Sequence, residues 1–592
     1  MTTAVDRYLR VRQAFGPSFR GDRPEVLFLM NLTGTVQVYA MDLNGGWPDM
    51  VTELSDRATA VHASPRGSAL VVATDVEGNE RHGFLVLADR DREPQWLTSE
   101  NDAIHEFGAF HPDGEHIAYT ANIRNGRDFD LYLQPIEPGS PAQRLLSLDG
   151  TWHVEGFRPD GKGILLRAEL SNADQYLTLF DLATGQLERL TPEGASDAYQ
   201  EPGFDYQGKI CTLTNYGREW LGVARLQPNG QLEWGYAPDA DCEHLALSPT
   251  QSLWAVVVNR QGFSELHLFD PERGRDQVVQ GLGPGVIGDV VFSPDGRWLA
   301  LTFHGPDANL NVWLVSVWDA LARPLTHAPW NGVDPRRLVR PVLDRYPSFD
   351  GREIPVWVYY PKPARDPAPV VVSIHGGPEW QERPGFNPVY QMLLSRGYAV
   401  VAPNVRGSTG YGRTYCHLDD RDQRGDAIRD LGALAAWIGL QPQLDADRIA
   451  LMGGSYGGYM VLAGLTWFPH AFRAGIEIAG IANLETFLEE TGPWRRHLRE
   501  AEYGYLDTDR ESLRNLSPIY QFDRIVAPLM VVHGSNDPRV PIREAEQIVA
   551  ALAARRRTVI YLRYDNEGHG VSRIENRLDL YPRILSFLQR HL

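Results

Sequence analysis

Seven turn-like tetrapeptides punctuate the first 330 residues: "SFRG" at Ser18, "SPRG" at Ser64, "HPDG" at His111, "RPDG" at Arg158, "DYQG" at Asp205, "SPTQ" at Ser248 and "SPDG" at Ser293. Their starts lie 46, 47, 47, 47, 43 and 45 residues apart. Proline fixes one backbone angle and glycine admits positive φ, so the two at fixed offsets preset a tight turn. A strand-like apolar run follows nearly every turn, as in "EVLFLM", "ALVVAT", "HIAYTA" and "WLALTF", and most units add a second, as in "DLYLQPI" or "NVWLVSV". Several short strands repeated with a period in the mid-forties describe a β-propeller blade, and seven units close a ring. A β-sandwich with accidental turn spacing would seldom repeat so evenly.

Beyond about residue 330 the pattern changes. "PVVVSIHGG" and "YAVVAPNVRG" read as buried parallel strands, "DAIRDLGALAAWIGL" as a helix, and "RIALMGGS", "AGIEIAG" and "PLMVVHGS" as further strands with helical sequence between them. This alternation predicts a doubly wound, mostly parallel sheet, whose ligands bind beyond the carboxyl ends of the strands. The expected division is a helical segment over 1–16 that packs on the second domain, a seven-bladed propeller over 17–330 and an α/β-hydrolase domain over 331–592. Val5, Tyr8, Leu9 and Phe15 supply the helical spacing of the first segment.

Composition narrows the partners. A balance of 57 basic against 76 acidic residues, −19 in all, disfavours nucleic acid and anionic membranes, which need positive patches. Three scattered cysteines, Cys211, Cys242 and Cys416, suit neither a disulfide framework nor a four-ligand zinc site and point to a reducing compartment. The N-terminus lacks an uncharged apolar core and no run of about 18 apolar residues occurs, so the expected location is cytoplasmic. Nothing calls for a metal or an organic cofactor. A homo-oligomer is compatible with the sequence.

In "RIALMGGSYGGYMVLAGL" a serine sits among four glycines between a strand and a helix. Gly453, Ser455 and Gly457 form G-x-S-x-G in the strand-turn-helix context of a nucleophile elbow. Such a turn exposes the hydroxyl and aims the Tyr456 N–H, at the helix start, toward developing negative charge. Serine needs a base and a group to orient it. Asp537, 82 residues on in "HGSNDPRVP", follows a strand; His569, 32 residues later in "NEGHGV", precedes a last helix. The order Ser, Asp, His is that of α/β-hydrolases. Asp565 and Glu567 compete as the acid but share the histidine's own loop, and Asp537 could instead cap the helix beginning near Ile542. His533 and His375 read as structural. A second oxyanion donor comes from Gly376 or Gly377 in "SIHGGP", where no side chain blocks a substrate.

Together "HGGP", "NVRGSTGYG", "GGSYGGY", "HGSNDPRVP" and "GHG", behind a seven-unit propeller, resemble the prolyl oligopeptidase family of serine peptidases, and most of all its acylaminoacyl-peptidase branch. The resemblance spans nearly the whole chain. It implies Ser455 as nucleophile, His569 as general acid and base, Asp537 as its orienting partner, and backbone groups of Gly377 and Tyr456 as oxyanion hole. It also implies an arginine two residues after the acid, matched by Arg539, at the substrate or the domain interface. Short peptides would be the substrates, screened by a propeller stacked over the site. The dipeptidyl-aminopeptidase branch holds the substrate's amino terminus with adjacent propeller glutamates; the chain has no Glu-Glu pair before residue 330, only Glu489-Glu490 in the hydrolase half. Dipeptidyl aminopeptidase or carboxypeptidase action within the same family, a small-molecule carboxylester or amide hydrolase, and a non-enzymatic propeller interaction protein are the alternatives. Apolar side chains among Ile481, Leu484 and Phe487 are expected in the pocket before the scissile bond.

Overall fold

The computed structural model describes residues 5–88, 93–98, 103–192, 196–363 and 367–592. Seven four-stranded antiparallel sheets follow one another from Ala14 to Pro324, each built from four consecutive strands. The expected turns join the first strand of a blade to its second. Gly67, Gly114, Gly161, Gly208 and Gly296 take φ between +70° and +85° there, which explains the glycine at the fourth turn position. Second strands such as Leu70–Thr74 and His116–Ala121 are almost wholly buried, so their β-branched and aromatic runs form the layers between blades.

All seven first strands carry a register irregularity against the second, as between Ala58 and Ala60 or Val154 and Gly156. Bulges of this kind sharpen the local twist, which suits blades packed around an axis. The ring closes by packing rather than by strand exchange. Ala14, Val26 and Phe28 of the first blade share one apolar cluster with Ala300, Val312 and Leu314 of the last, and the Gly16 N–H donates to Thr302 Oγ1 at 3.2 Å.

The expected N-terminal helix is a single turn, α1 (Asp6–Leu9), with residues 1–4 outside the described part. Val5 and Tyr8 pack in a hydrolase cluster with Leu580 and Ile584. Phe15 does not extend this helix: it lies in the first propeller strand, Ala14–Phe19, paired with Leu29, because the edge of the first blade needs that residue for its ladder.

The second domain is an eight-stranded sheet, its strands numbered here β1 (Val342–Pro347), β2 (Glu353–Tyr359), β3 (Ala368–Ile374), β4 (Ala399–Pro403), β5 (Leu444–Gly454), β6 (Ala474–Ile478), β7 (Leu529–Gly534) and β8 (Val559–Tyr564). Their order is β1-β2-β4-β3-β5-β6-β7-β8, antiparallel at β1 and β2 and parallel from β4 onward. Every residue of β3, β4 and β7 is buried, as strands covered on both faces require. Each buried Val or Ile contributes about 2 kcal/mol of apolar transfer. Two apolar layers flank the sheet, one with Leu431 and Leu465, the other with Met392 and Leu588. The helices that matter below are α2 (Arg424–Ile438), α3 (Tyr456–Trp467), α4 (Arg496–Tyr503), α5 (Arg543–Ala554) and α6 (Ile574–His591).

Candidate active site

Ser455 joins β5 to α3 with φ +57° and ψ −121°, a conformation non-glycine residues seldom adopt and that costs about 1–3 kcal/mol. Its own N–H is tied to the Ile478 carbonyl at the end of β6, 2.9 Å away. Three of the four glycines around it are sterically required. A Cβ on Gly453 would lie 2.4 Å from the Gly457 oxygen, one on Gly457 2.1 Å from the Ile374 oxygen, and one on Gly458 2.6 Å from Gly480 Cα. Gly454 is different, since its nearest contact would be an ordinary 3.5 Å.

The loops after β7 and β8 bring the acid and the imidazole together. His569 Nδ1 stands 2.8 Å from Asp537 Oδ2, while Asp537 Oδ1 accepts the Arg539 and Val540 N–H groups at 2.8 and 3.0 Å. Burial alone would raise the Asp537 carboxyl, but the facing His569 and His533 rings outweigh it and hold the group well below the ordinary carboxylate range. His533 donates from Nε2 to the Val540 carbonyl at 2.9 Å and lies 3.4 Å from Asp537 Oδ2. Burial would lower that ring; Asp537 more than offsets it, so it is raised.

Neither rival acid faces His569. Asp565 is exposed and engaged by Ser535 and Arg563, and Glu567 is buried, accepting the Ser572 and Arg573 N–H groups at the start of α6. Asp537 does not cap α5, whose preceding residue is Ile542.

Gly376 approaches the elbow: a Cβ placed on it would lie 3.5 Å from Ser455 Cβ. Gly377 has φ +123°, where a side chain would be strained and would press on the Glu379 and Trp380 N–H groups. His375 is buried and lowered to about 4 by that burial, with Nε2 2.9 Å from Ser408 Oγ, so it is neutral and fixed in place. Tyr456 opens α3; its ring is fully buried and its hydroxyl donates to Asp419 Oδ2 at 3.2 Å.

Asp419 in turn pairs with the fully buried Arg424 at 2.8 Å, and Arg424 with Glu502. This network holds the residue that follows Ser455, and sequence reasoning missed it. The only signal was the density of charge in "HLDDRDQRGD" just before an apolar helix. Ile481, Leu484 and Phe487 are 1%, 0% and 2% exposed. They belong to the hydrolase core and offer no surface to a substrate, contrary to expectation, because the segment after β6 turns inward to cover the sheet.

The propeller meets this site directly. Arg539 Nε is 2.7 Å from both carboxylate oxygens of Glu80 in the second blade. In the same loop Gly78 touches the histidine loop so closely that a Cβ on it would lie 2.8 Å from the Gly568 nitrogen. Arg573–Asp56 at 2.6 Å, Arg383–Glu243 at 2.8 Å and Arg413–Asp197 at 2.8 Å add ion pairs between the domains.

Residues 384–592 match the family model described as the prolyl oligopeptidase family. Dipeptidyl aminopeptidase BIII of Pseudoxanthomonas mexicana is 31% identical over 522 residues, 78% of this chain and 75% of that protein. The acylamino-acid-releasing enzyme of Rattus norvegicus is 27% identical over 236 residues, 39% of this chain and 32% of that protein. In fold, the chain resembles the crystal structure of puromycin hydrolase, with a TM-score of 0.87 at 20% identity, covering 99% of this chain and 96% of that one. With a seven-bladed propeller, an α/β-hydrolase sheet and a relative matched over three quarters of its length, the chain belongs to the prolyl oligopeptidase family of serine peptidases.

Proposed function

We propose that Ser455, His569 and Asp537 are the catalytic triad of a peptidase that cleaves short peptides through an acyl-enzyme. The observation that carries this reading is the 2.8 Å contact between His569 Nδ1 and Asp537 Oδ2, at the end of the same sheet that presents the serine elbow. Asp537 accepts from Nδ1–H and thereby leaves Nε2 as the basic nitrogen. His569 takes the Ser455 proton as the oxygen attacks the scissile carbonyl; the Tyr456 and Gly377 N–H groups hold the oxyanion; His569 then protonates the leaving amine. Water, deprotonated by His569, releases the acyl group and restores the serine.

For specificity we favour removal of N-acylated residues, with wider oligopeptidase and esterase activity. Support comes from the motif resemblance, the absence of a propeller Glu-Glu pair and the acylamino-acid-releasing relatives. The Pseudoxanthomonas relative favours a second reading, dipeptidyl release from a free amino terminus. Three unpaired cysteines fit a cytoplasmic location, and no helix among the described residues is long and apolar enough to cross a membrane.

Mass-spectrometric mapping of products from a mixed library of free, N-acylated and C-terminally amidated peptides tests the reading. Release of single acylated residues supports the first specificity, and release of dipeptides from free amino termini supports the second. Loss of single C-terminal residues contradicts both.

A further inference from the structure

Between the end of the loop carrying Asp537 and the propeller runs a segment, 492–499, that is pinned on both sides. The Gly492 N–H donates to the Pro538 carbonyl at 3.1 Å, and Thr491 Oγ1 to the Arg539 carbonyl at 2.8 Å. On the other side the Trp494 carbonyl accepts from Thr151 Oγ1 of the fourth blade at 3.3 Å, and the Trp494 ring packs with Trp152 and Val154. The segment thus spans the interface beside the triad and carries Arg495 and Arg499 into it.

Arg495 is the poorly matched one of the two, since the carboxylates around Arg499 more than offset its burial. Arg495 has no side-chain hydrogen bond or ion pair among the described residues, although it is partly buried between the domains. Arg499 is 7% exposed; its closest carboxylate is Glu379 at 3.7 Å, and its Nε is buried with no partner. Arg539 adds a third positive charge within range of Arg495. The two carboxylates that face Arg495 are already engaged, Glu80 by Arg539 through both oxygens and Asp537 by His569, His533 and two backbone N–H groups. Burial and the neighbouring Arg499 and Arg539 bring the Arg495 guanidinium down to about 9, the mark of a cation held without a counter-ion. Leaving such a charge partly buried and unpaired in a chain with net charge −19 is costly, and a ligand that brings the missing anion recovers that cost.

Resting on the peptidase reading above, we infer that Arg495, supported by Arg499, is a recognition site for a carboxylate of the substrate. The carboxylate is either the α-carboxylate of a short peptide or an Asp or Glu side chain. Its enclosure between the domains adds a length limit, because the carboxylate must reach the site while the scissile carbonyl reaches Ser455.

The test is a matched set of N-acetylated tripeptides: an all-alanine free acid, its C-terminal amide, and an amide with Glu in place of one alanine. Each is measured as a ratio of kcat/KM to that of the neutral amide in the same variant, so any general loss of activity cancels. In the intact protein at least one carboxylate substrate is favoured by about ten-fold or more, mainly through KM. Preference for the free acid alone identifies the α-carboxylate, and preference for the Glu amide identifies a side chain. Arg495→Gln brings the ratio toward one, and Arg495→Lys restores part of it. A ratio near one in the intact protein, or one unchanged by Arg495→Gln, overturns the inference. Labelling of Ser455 by a fluorophosphonate separates the two readings: labelling without carboxylate preference sinks this inference alone, whereas absence of labelling sinks the peptidase reading beneath it.

Discussion

Both oxygens of Asp537 are committed: one faces two imidazoles, the other two backbone N–H groups. Asp537→Asn keeps the shape but removes the charge that stabilises a protonated His569, so kcat falls about 10³- to 10⁴-fold with little change in KM, read from steady-state kinetics on an acyl-alanine anilide. On the adjacent strand β6 Glu477 is fully buried; Oε2 accepts the Gly480 N–H at 2.7 Å, Oε1 has no partner, and burial raises the group to about 7. Because its folded pKa lies above the unfolded value, the unfolded chain loses this proton first. The folded state is therefore penalised progressively from about pH 4.5 to pH 7, and fully above that. Glu477→Gln keeps an acceptor for Gly480 and removes the penalty, so it raises stability by about 2 kcal/mol at pH 8 and by much less at pH 5, as denaturant unfolding at the two pH values would show. Ser455 stands out in the sequence because its glycines are its neighbours in the chain. Arg495 does not, because its lack of a partner depends on Glu80 and Asp537 being claimed by residues from distant segments.

At the scale of elements, the elbow is a packing problem between β3, β5 and α3. Gly457→Ala drives a Cβ to 2.1 Å from the Ile374 oxygen, and no flexible side chain is there to yield. It destabilises the hydrolase domain by about 3 kcal/mol or more, whereas Gly454→Ala, with ordinary contacts, leaves the midpoint of thermal unfolding nearly unchanged. The blades show what could be read from sequence and what could not. Fully buried second strands such as Leu70–Thr74 leave an unmistakable apolar run. First strands are bulged, which breaks the two-residue alternation, and fourth strands such as Leu187–Arg189 are exposed on every residue, which leaves no hydrophobic pattern at all. The parallel strands of the hydrolase sheet were legible for the reason the second strands were: burial on both faces.

For the whole molecule, the consequential contact is the one between the Gly78 loop of the second blade and the loop bearing His569. Gly78 has φ +74°, and a side chain there would push against Gly568. Gly78→Ala therefore displaces the imidazole and lowers kcat/KM for a small acyl ester about 10- to 100-fold. Gly45, at φ +91°, bears similar backbone strain but touches nothing within 4 Å, so Gly45→Ala leaves that turnover unchanged. Such cross-domain contacts join residues hundreds of positions apart and leave no local trace in the chain. Turnover of N-acetyl-alanine anilide by purified Ser455→Ala beside the unaltered protein, with circular dichroism to verify folding, tests the nucleophile directly. A loss of at least about 10⁴-fold in kcat is predicted, and a folded variant that retains turnover within ten-fold of the original would contradict the assignment of the nucleophile.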